Sequence, residues 1–412
     1  MELSDVREQT LEMLKAHSNR SKARLSSLMN LPIEHAAQGA EITDEKGQVY
    51  VDFGGFGVFI LGHCHPQVIS AVKAQIDCMP MSSRTMVNPV LARVSKKLVD
   101  ICPDSLEYVF FTNSGAESTE LALKLARANG CDHIIAVTGS YHGKSLGALS
   151  VTHRDEFRAP FMPLFNNVEF VERDNLEALQ AAFERCEGKV AFIAEPVQGE
   201  GGVYTLSYEF LHKAKALCSQ SQGLFICDEI QSGLARTGSM WAIDKFGITP
   251  DVMLVGKGLS GGVVPCAAVV ATEAAFAPLN QDFMLHSSTF GGSPVALAAA
   301  EATIDVLIQD EVVAKVQMLS KQIVSTLSQI IDKYNQTHQA HISIRAQGLL
   351  IGIDVQTPAR AGQLTLSLLN QRVLTSHSLS NASTVRLTPS AYLSEKHLAH
   401  LYDAFACALE KI

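Results

Sequence analysis

The sequence contains no apolar run approaching the roughly 18 residues that a bilayer span requires, so nothing in it reads as a membrane helix. Its nine cysteines are scattered and odd in number, and no two of them form a CxxC pair. A disulfide framework is disfavoured, and the thiols read as reduced and cytosolic, mostly core filler. Basic residues are outnumbered by acidic ones, 33 against 42, for a net charge of −9. That balance argues against a general nucleic-acid binder, which needs a basic face. Internal repeats, low-complexity stretches and linkers long enough to separate independent domains are also missing. The segment Met1–Arg24 is polar and mixed in charge, unlike a secretory signal, and a cytoplasmic protein is expected.

What is present is an ordinary folded composition, 47% hydrophobic and 18% charged. Its 412 residues exceed the roughly 250–300 at which one core stops growing, and two subdomains are expected. Up to about Leu28, Leu11, Leu14 and Leu25 stand among charges, as in a surface helix or arm. Ala40–Thr43 and Gln48–Phe53 flank the turn signal Glu45-Lys46-Gly47 and predict a hairpin. From Leu106 onward short apolar strands alternate with amphipathic helices. The strands are Tyr108–Thr112, Ile134–Thr138, Val190–Ala194, Leu224–Cys227, Val252–Val255 and Ala267–Ala271. This is the pattern of a mostly parallel sheet covered on both faces, an α/β domain. After Ser293-Pro294 come two helices, Val295–Ile308 and Val312–Tyr334. Strands at Gly352–Val355 and Thr384–Leu387 and a helix at Ser394–Leu409 follow, an α+β composition.

Three strand ends carry the chemistry. The first apolar strand of interest runs into Asp228-Glu229-Ile230-Gln231, placing a carboxylate where ligands bind in α/β sheets. Val252–Val255 runs into Gly256-Lys257-Gly258, a lysine freed by glycines on both sides. Taken singly, such an aspartate more often caps a turn and such a lysine is more often a solvated charge. The third element is Thr112-Asn113-Ser114-Gly115-Ala116-Glu117, which follows a strand and opens a helix. Its free N–H groups and the Ser114 hydroxyl form an anion site, and the same residues read as a capping box. An anion cup, a carboxylate and a lysine at three strand mouths are what pyridoxal phosphate requires. A nucleotide P-loop is rejected, because no Ser or Thr follows Lys257 and the upstream glycine spacing is wrong.

Further blocks extend the pattern over nearly the whole chain. They are Gly62-His63-Cys64-His65-Pro66, Tyr141-His142-Gly143, Glu195-Pro196-Val197-Gln198-Gly199-Glu200-Gly201-Gly202 and Ser288-Thr289-Phe290-Gly291-Gly292. In order and spacing the set resembles the class III (ω-type) aminotransferases of the fold-type-I pyridoxal-phosphate superfamily. Phe53-Gly54-Gly55-Phe56-Gly57, the run Tyr141–Ser150 and Arg158–Leu164 are most similar to putrescine aminotransferases. The chain departs from that group in a shorter N-terminal extension. It also has Thr388-Pro389-Ser390-Ala391 where that group carries a Glu-Pro-Pro-Leu type of sequence.

The resemblance implies an aspartate-aminotransferase-like fold. A large domain with a seven-stranded, mostly parallel sheet would span about 56–300, and a small α+β domain would be built from 1–55 and 301–412. It implies a homodimer with shared active sites and pyridoxal 5'-phosphate as cofactor. Lys257 would carry the cofactor as a Schiff base and then act as the proton-transferring base. Asp228 would pair with the ring nitrogen, Gln231 with the phenolic oxygen, and Ser114, Gly115 and Ala116 with the phosphate. Thr289 would reach the phosphate from the neighbouring subunit, while Tyr141 and Ile230 would cover the ring's two faces; His142 and Glu195 complete the cofactor site. Glu200 and Arg386 look like the family's switch pair, with Arg386 binding the acceptor's α-carboxylate and Glu200 neutralising it otherwise. Phe56 would wall the substrate pocket. His63-Cys64-His65 would be a structural corner, since three adjacent donors cannot all face one ion. The implied reaction moves an amino group from a terminal primary amine, such as putrescine or cadaverine, to a 2-oxo acid, or aminates an aldehyde in reverse. An acetylornithine/ornithine or ω-amino-acid enzyme and an aminomutase on the same scaffold stay open.

Overall fold

The computed structural model describes residues 3–412. Near-continuous apolar segments build its central sheet: Val252–Val255, for example, is buried at all four positions. Burying one Val or Leu side chain stabilises the fold by about 1.5–3 kcal/mol. The sheet has seven strands in the order Tyr108–Thr112, Ala267–Ala271, Val252–Val255, Leu224–Asp228, Lys189–Ala194, Cys131–Val137, Val168–Val171. Six run parallel, and Ala267–Ala271 alone is antiparallel to both of its neighbours. The connection from Val252–Val255, residues 256–266, holds a short 3₁₀ turn, Lys257–Ser260, and no crossover helix is needed to reverse direction.

The seventh strand, Val168–Val171, was absent from the sequence reading. It lies at the sheet edge, and only Val171 of its four residues is fully buried, so its sequence lacks the apolar run that marks the others. The remaining strands appear where expected, shifted by up to three residues at their starts. The long helix after Ser293 runs Pro294–Gln309 and is buried over most of its surface. The next helix extends to His338. The expected N-terminal arm is a helix pair, Leu3–His17 and Arg20–Leu28, with the Asn19 side chain capping the second.

Both chain ends meet in a smaller, mixed layer. Glu34–Gln38, Glu41–Asp44 and Val49–Asp52 form an antiparallel meander, and Val373–Leu374 adds to it in parallel, with Val373 opposite Val51. A second sheet joins Ser343–Gln347, Leu350–Asp354, Thr384–Leu387 and Ser376–His377. In it Arg386 lies between Gly352 and Ser376 and is held from both sides. Among the described residues no helix is long and apolar enough to cross a membrane.

Candidate active site

The C-terminal ends of the parallel strands converge on a cleft of about 230 Å³. Asp228 ends its strand with 3% of its surface exposed. Its Oδ1 accepts the Ile230 N–H at 3.0 Å, and its Oδ2 lies 2.6 Å from His142 Nδ1. His142 is fixed in turn by its own N–H, which donates to Thr152 Oγ1 at 2.9 Å. Burial works to lower the His142 pKa, but the hydrogen bond and charge of Asp228, aided by Glu195, outweigh it and raise the value. The other ring nitrogen, Nε2, is buried without a partner. Burial and the nearby Asp228 charge push the Glu195 carboxyl up to about 7, against the pull of His142. That carboxyl accepts the Tyr141 N–H at 2.9 Å.

On the adjacent strand Lys257 follows Val255 by two residues, in a left-handed conformation with φ 43°. Such a conformation is strained in a non-glycine residue and is common at functional sites. Lys257 lines both the cleft and a neighbouring hollow of about 310 Å³, which Ser114 and Gly115 also line. Burial lowers the Lys257 pKa, and Arg386 adds to the effect; Glu200, Asp228 and Glu195 oppose it. The result favours a neutral, nucleophilic amine.

Ser114 caps the helix Gly115–Ala128, its Oγ accepting the Glu117 N–H at 3.3 Å. Glu117 answers by accepting from the Asn113 N–H at 2.9 Å and its Nδ2 at 2.8 Å. The expected capping box is thus displaced by one residue. The Gly115 and Ala116 amides lie in the first turn, where the helix supplies no acceptor. A Cβ at Gly115 would stand 2.7 Å from Ile230 Cδ1, so a side chain there would force Ile230 to shift. Open amides, a strand-end carboxylate and a buried amine at three neighbouring mouths match the phosphate, ring nitrogen and aldehyde of pyridoxal phosphate. The residues present fit that group.

A hairpin of Val197–Gln198 and Tyr204–Thr205 brings Glu200 over the cleft. Arg386 Nη1 meets Glu200 Oε1 at 2.6 Å, and the two side chains are 0% and 4% exposed. Glu200 Oε2 also accepts the Leu379 N–H at 2.8 Å. Arg386 Nε and Nη2 are buried with no partner among the described residues. Gln231 lies between them: its Nε2 donates to Phe56 O at 3.2 Å and reaches Glu200 Oε1 at 3.4 Å, and Arg386 Nη1 reaches its Oε1 at 3.5 Å. A Cβ at Gly199 would fall 1.5 Å from Gln231 Oε1, so a larger residue there would push the Gln231 amide out of its present place.

Of the residues singled out in the sequence, Gly115, Ala116, Tyr141, His142, Glu195, Glu200, Asp228, Ile230, Gln231 and Lys257 line this one cleft. Ser114 lies in the adjoining hollow. Phe56 is joined through its carbonyl, while its side chain is 55% exposed. Thr289 is not brought to Lys257 within one chain. It is exposed and lines a separate hollow with Met81 and Arg84. His63 Nε2 pairs with Asp52 at 2.8 Å, which fixes the corner structurally, and Cys64 points to the exterior. Among the described residues no group of three or more His, Cys, Asp or Glu side chains comes together to hold a metal ion.

The sequence reading missed the supports: Thr152 beneath His142, the Leu379 amide on Glu200, and the Thr388 hydroxyl, which accepts the Gly57 N–H at 3.0 Å. Only Thr388 carried a signal, as the point where the chain departs from the putrescine group.

A seven-stranded mixed sheet with lysine, carboxylate and anion cradle at its strand mouths, and a smaller domain closing over them, defines a fold-type-I pyridoxal-phosphate transferase. The family described as aminotransferase class-III matches residues 23–409, and the chain belongs to that family of pyridoxal-phosphate enzymes. Its structure is similar to the ornithine aminotransferase of Toxoplasma gondii ME49, with 27% identity, 94% of each chain covered and a TM-score of 0.85. It is likewise similar to the acetylornithine aminotransferase of Elizabethkingia anophelis, with 26% identity, 98% and 99% of the two chains covered and a TM-score of 0.81. A transaminase of the marine bacterium Virgibacillus aligns at 25% identity over 98% of each chain, with a TM-score of 0.87.

Proposed function

We propose that this aminotransferase takes its amino group from a terminal primary amine, a diamine such as putrescine or cadaverine, and passes it to 2-oxoglutarate by a ping-pong route. The same chemistry run backwards aminates an aldehyde. The observation that carries the reading is the buried Glu200–Arg386 pair at 2.6 Å. An isolated buried guanidinium is costly, and a paired one is tolerated. With Glu200 in place the pocket suits an amine that has no carboxylate near the reacting carbon. An acceptor carboxylate would displace Glu200 and take a two-point grip on Arg386, whose Nε and Nη2 are otherwise idle.

Bound pyridoxal phosphate supplies an aldehyde for the amine and a protonated ring that draws electrons from the adjacent carbon. The chain's own groups do the rest. Lys257 Nζ would take the proton from the amine-bearing carbon of the substrate and deliver it to the cofactor carbon that had been the aldehyde, which needs the neutral form that burial favours. Asp228, held by His142 and the Ile230 amide, keeps a proton on the ring nitrogen. Ser114, Gly115 and Ala116 hold the phosphate, Gln231 the phenolic oxygen, and Tyr141 and Ile230 cover the ring. We assign the large domain to about 56–300 and the small one to the two chain ends. The nine free cysteines suit a reducing, cytoplasmic setting.

The similarity to ornithine and acetylornithine aminotransferases supports a second reading, an amine donor that bears its own α-carboxylate at the far end. A panel of putrescine, cadaverine, ornithine, N-acetylornithine and ω-amino acids, each assayed against 2-oxoglutarate, separates the two. The diamines should give the highest kcat/KM and form glutamate. Turnover confined to carboxylate-bearing donors would overturn the diamine reading. Turnover of a donor with no oxo acid present would point instead to an aminomutase.

Thr289, exposed and apart from Lys257 in one chain, supports a homodimer in which each subunit completes its partner's phosphate site. Dilution should then dissociate the dimer and release cofactor and activity at the same concentration. A monomer that stays fully active in sedimentation and assay would contradict the shared site.

A further inference from the structure

We infer that Thr388 is a positioning residue that sets the amine side of the substrate pocket, by pinning the Gly54–Gly57 tip to the strand that carries Arg386. The inference rests on the proposed roles of Phe56 as a pocket wall and Arg386 as the acceptor's anchor. Thr388 is two residues beyond Arg386 and 2% exposed. Its Oγ1 accepts the Gly57 N–H at 3.0 Å and donates to the Gly54 carbonyl. One hydroxyl therefore closes both ends of the tip.

The tip needs that hold. Gly55, Phe56 and Gly57 are all left-handed, with φ of 54°, 50° and 81°, a run that strains Phe56. The Phe56 side chain is 55% exposed and supplies little packing to offset the strain. On either side of the tip the chain is secured by other bonds: the Thr388 N–H donates to Phe53 O at 2.7 Å and the Ala391 N–H to Ile60 O at 2.9 Å. Arg386 itself is paired on both flanks of its strand. Loss of the hydroxyl would thus loosen the tip at Gly57 and leave Arg386 where it is.

The tip is also tethered by the Gly54 N–H, donated to Asp52 Oδ1 at 2.8 Å, and by the Phe56 carbonyl, bonded to Gln231. Gln231 also touches Glu200 and Arg386, so this tether changes whenever the ion pair opens for an oxo acid. The Thr388 bonds involve neither partner. They are the fixed reference that keeps Phe56 in place through both halves of the cycle.

The test compares T388V, nearly isosteric but without the hydroxyl, with T388S, which retains it. T388A is the second hydroxyl-free variant, should the extra methyl of T388V impair folding. Single-turnover kinetics with the best amine donor should show the half-saturating concentration raised about five- to tenfold in T388V or T388A, the scale expected for a buried donor left unpaired. The limiting rate and the 2-oxoglutarate half-reaction should stay within about twofold, and T388S should restore the amine value. Hydrogen exchange should be faster at Gly57 in the hydroxyl-free variants alone, with Thr384–Leu387 still protected. Equal losses in both half-reactions, T388S as impaired as T388V, or unchanged exchange at Gly57 would each overturn the inference. If the unaltered enzyme has no half-reaction with any terminal amine, the proposed function fails instead, and the exchange contrast still decides the role of Thr388.

Discussion

Lys257→Ala is expected to reduce turnover by several orders of magnitude while leaving a protein that folds and still binds pyridoxal phosphate. A positioned general base alone contributes about 10²–10⁴ in rate, and the covalent attachment of the cofactor is lost as well. Nothing nearby replaces the amine. The other lysine at the cleft, Lys144, is exposed, with its Nζ 3.8 Å above the centre of the Phe157 ring. The phosphate cradle at Gly115 and Ala116 and the carboxylate of Asp228 are untouched, so cofactor should bind more weakly but still bind. Titration of the variant with pyridoxal phosphate, followed by absorbance, and a steady-state assay measure the two properties separately. Activity within tenfold of the unaltered enzyme would remove Lys257 from the chemistry.

Arg386→Ala is expected to damage the two half-reactions unequally. Charged hydrogen bonds contribute about 1.5–3 kcal/mol each. Losing a two-point grip on a carboxylate should therefore slow the 2-oxoglutarate half-reaction by about 10²–10⁴-fold. The amine half-reaction should stay within about tenfold, because the terminal amine proposed as donor has no carboxylate to lose. A stability cost accompanies this. Glu200, 4% exposed, would be left as an uncompensated buried charge, which typically costs about 3–5 kcal/mol, partly relieved by the Leu379 amide at 2.8 Å. Arg386→Lys should not rescue the acceptor half, since an ammonium lacks the fork geometry. Single-turnover measurements of each half give the result directly. Equal loss in both halves would show that Arg386 is not the acceptor's anchor.

Much of this architecture is legible without coordinates, for a physical reason. Strands buried on both faces must be apolar throughout, so Leu224–Cys227 and Val252–Val255 announce themselves, and the residues that follow them are forced to the ligand edge of the sheet. Asp228 and Lys257 could be read for that reason. Val168–Val171 could not, because an edge strand has no such constraint. The cap at Ser114 was visible, but not that Glu117 would turn to Asn113, since that depends on which neighbouring donors come within reach. Contacts between distant segments left the weakest trace. Nothing local to Thr388 shows that it meets Gly57, 331 positions away, and nothing local to Leu379 shows that its amide holds Glu200. A backbone donor has no residue type, so the second of these was invisible in principle.

The most direct test of the account is to find where the resting enzyme holds its cofactor. Borohydride reduction of the purified holoenzyme, proteolysis and mass spectrometry of the peptides should locate a single pyridoxyl adduct on Lys257. An adduct on any other lysine, or none on an enzyme that turns over, would contradict it.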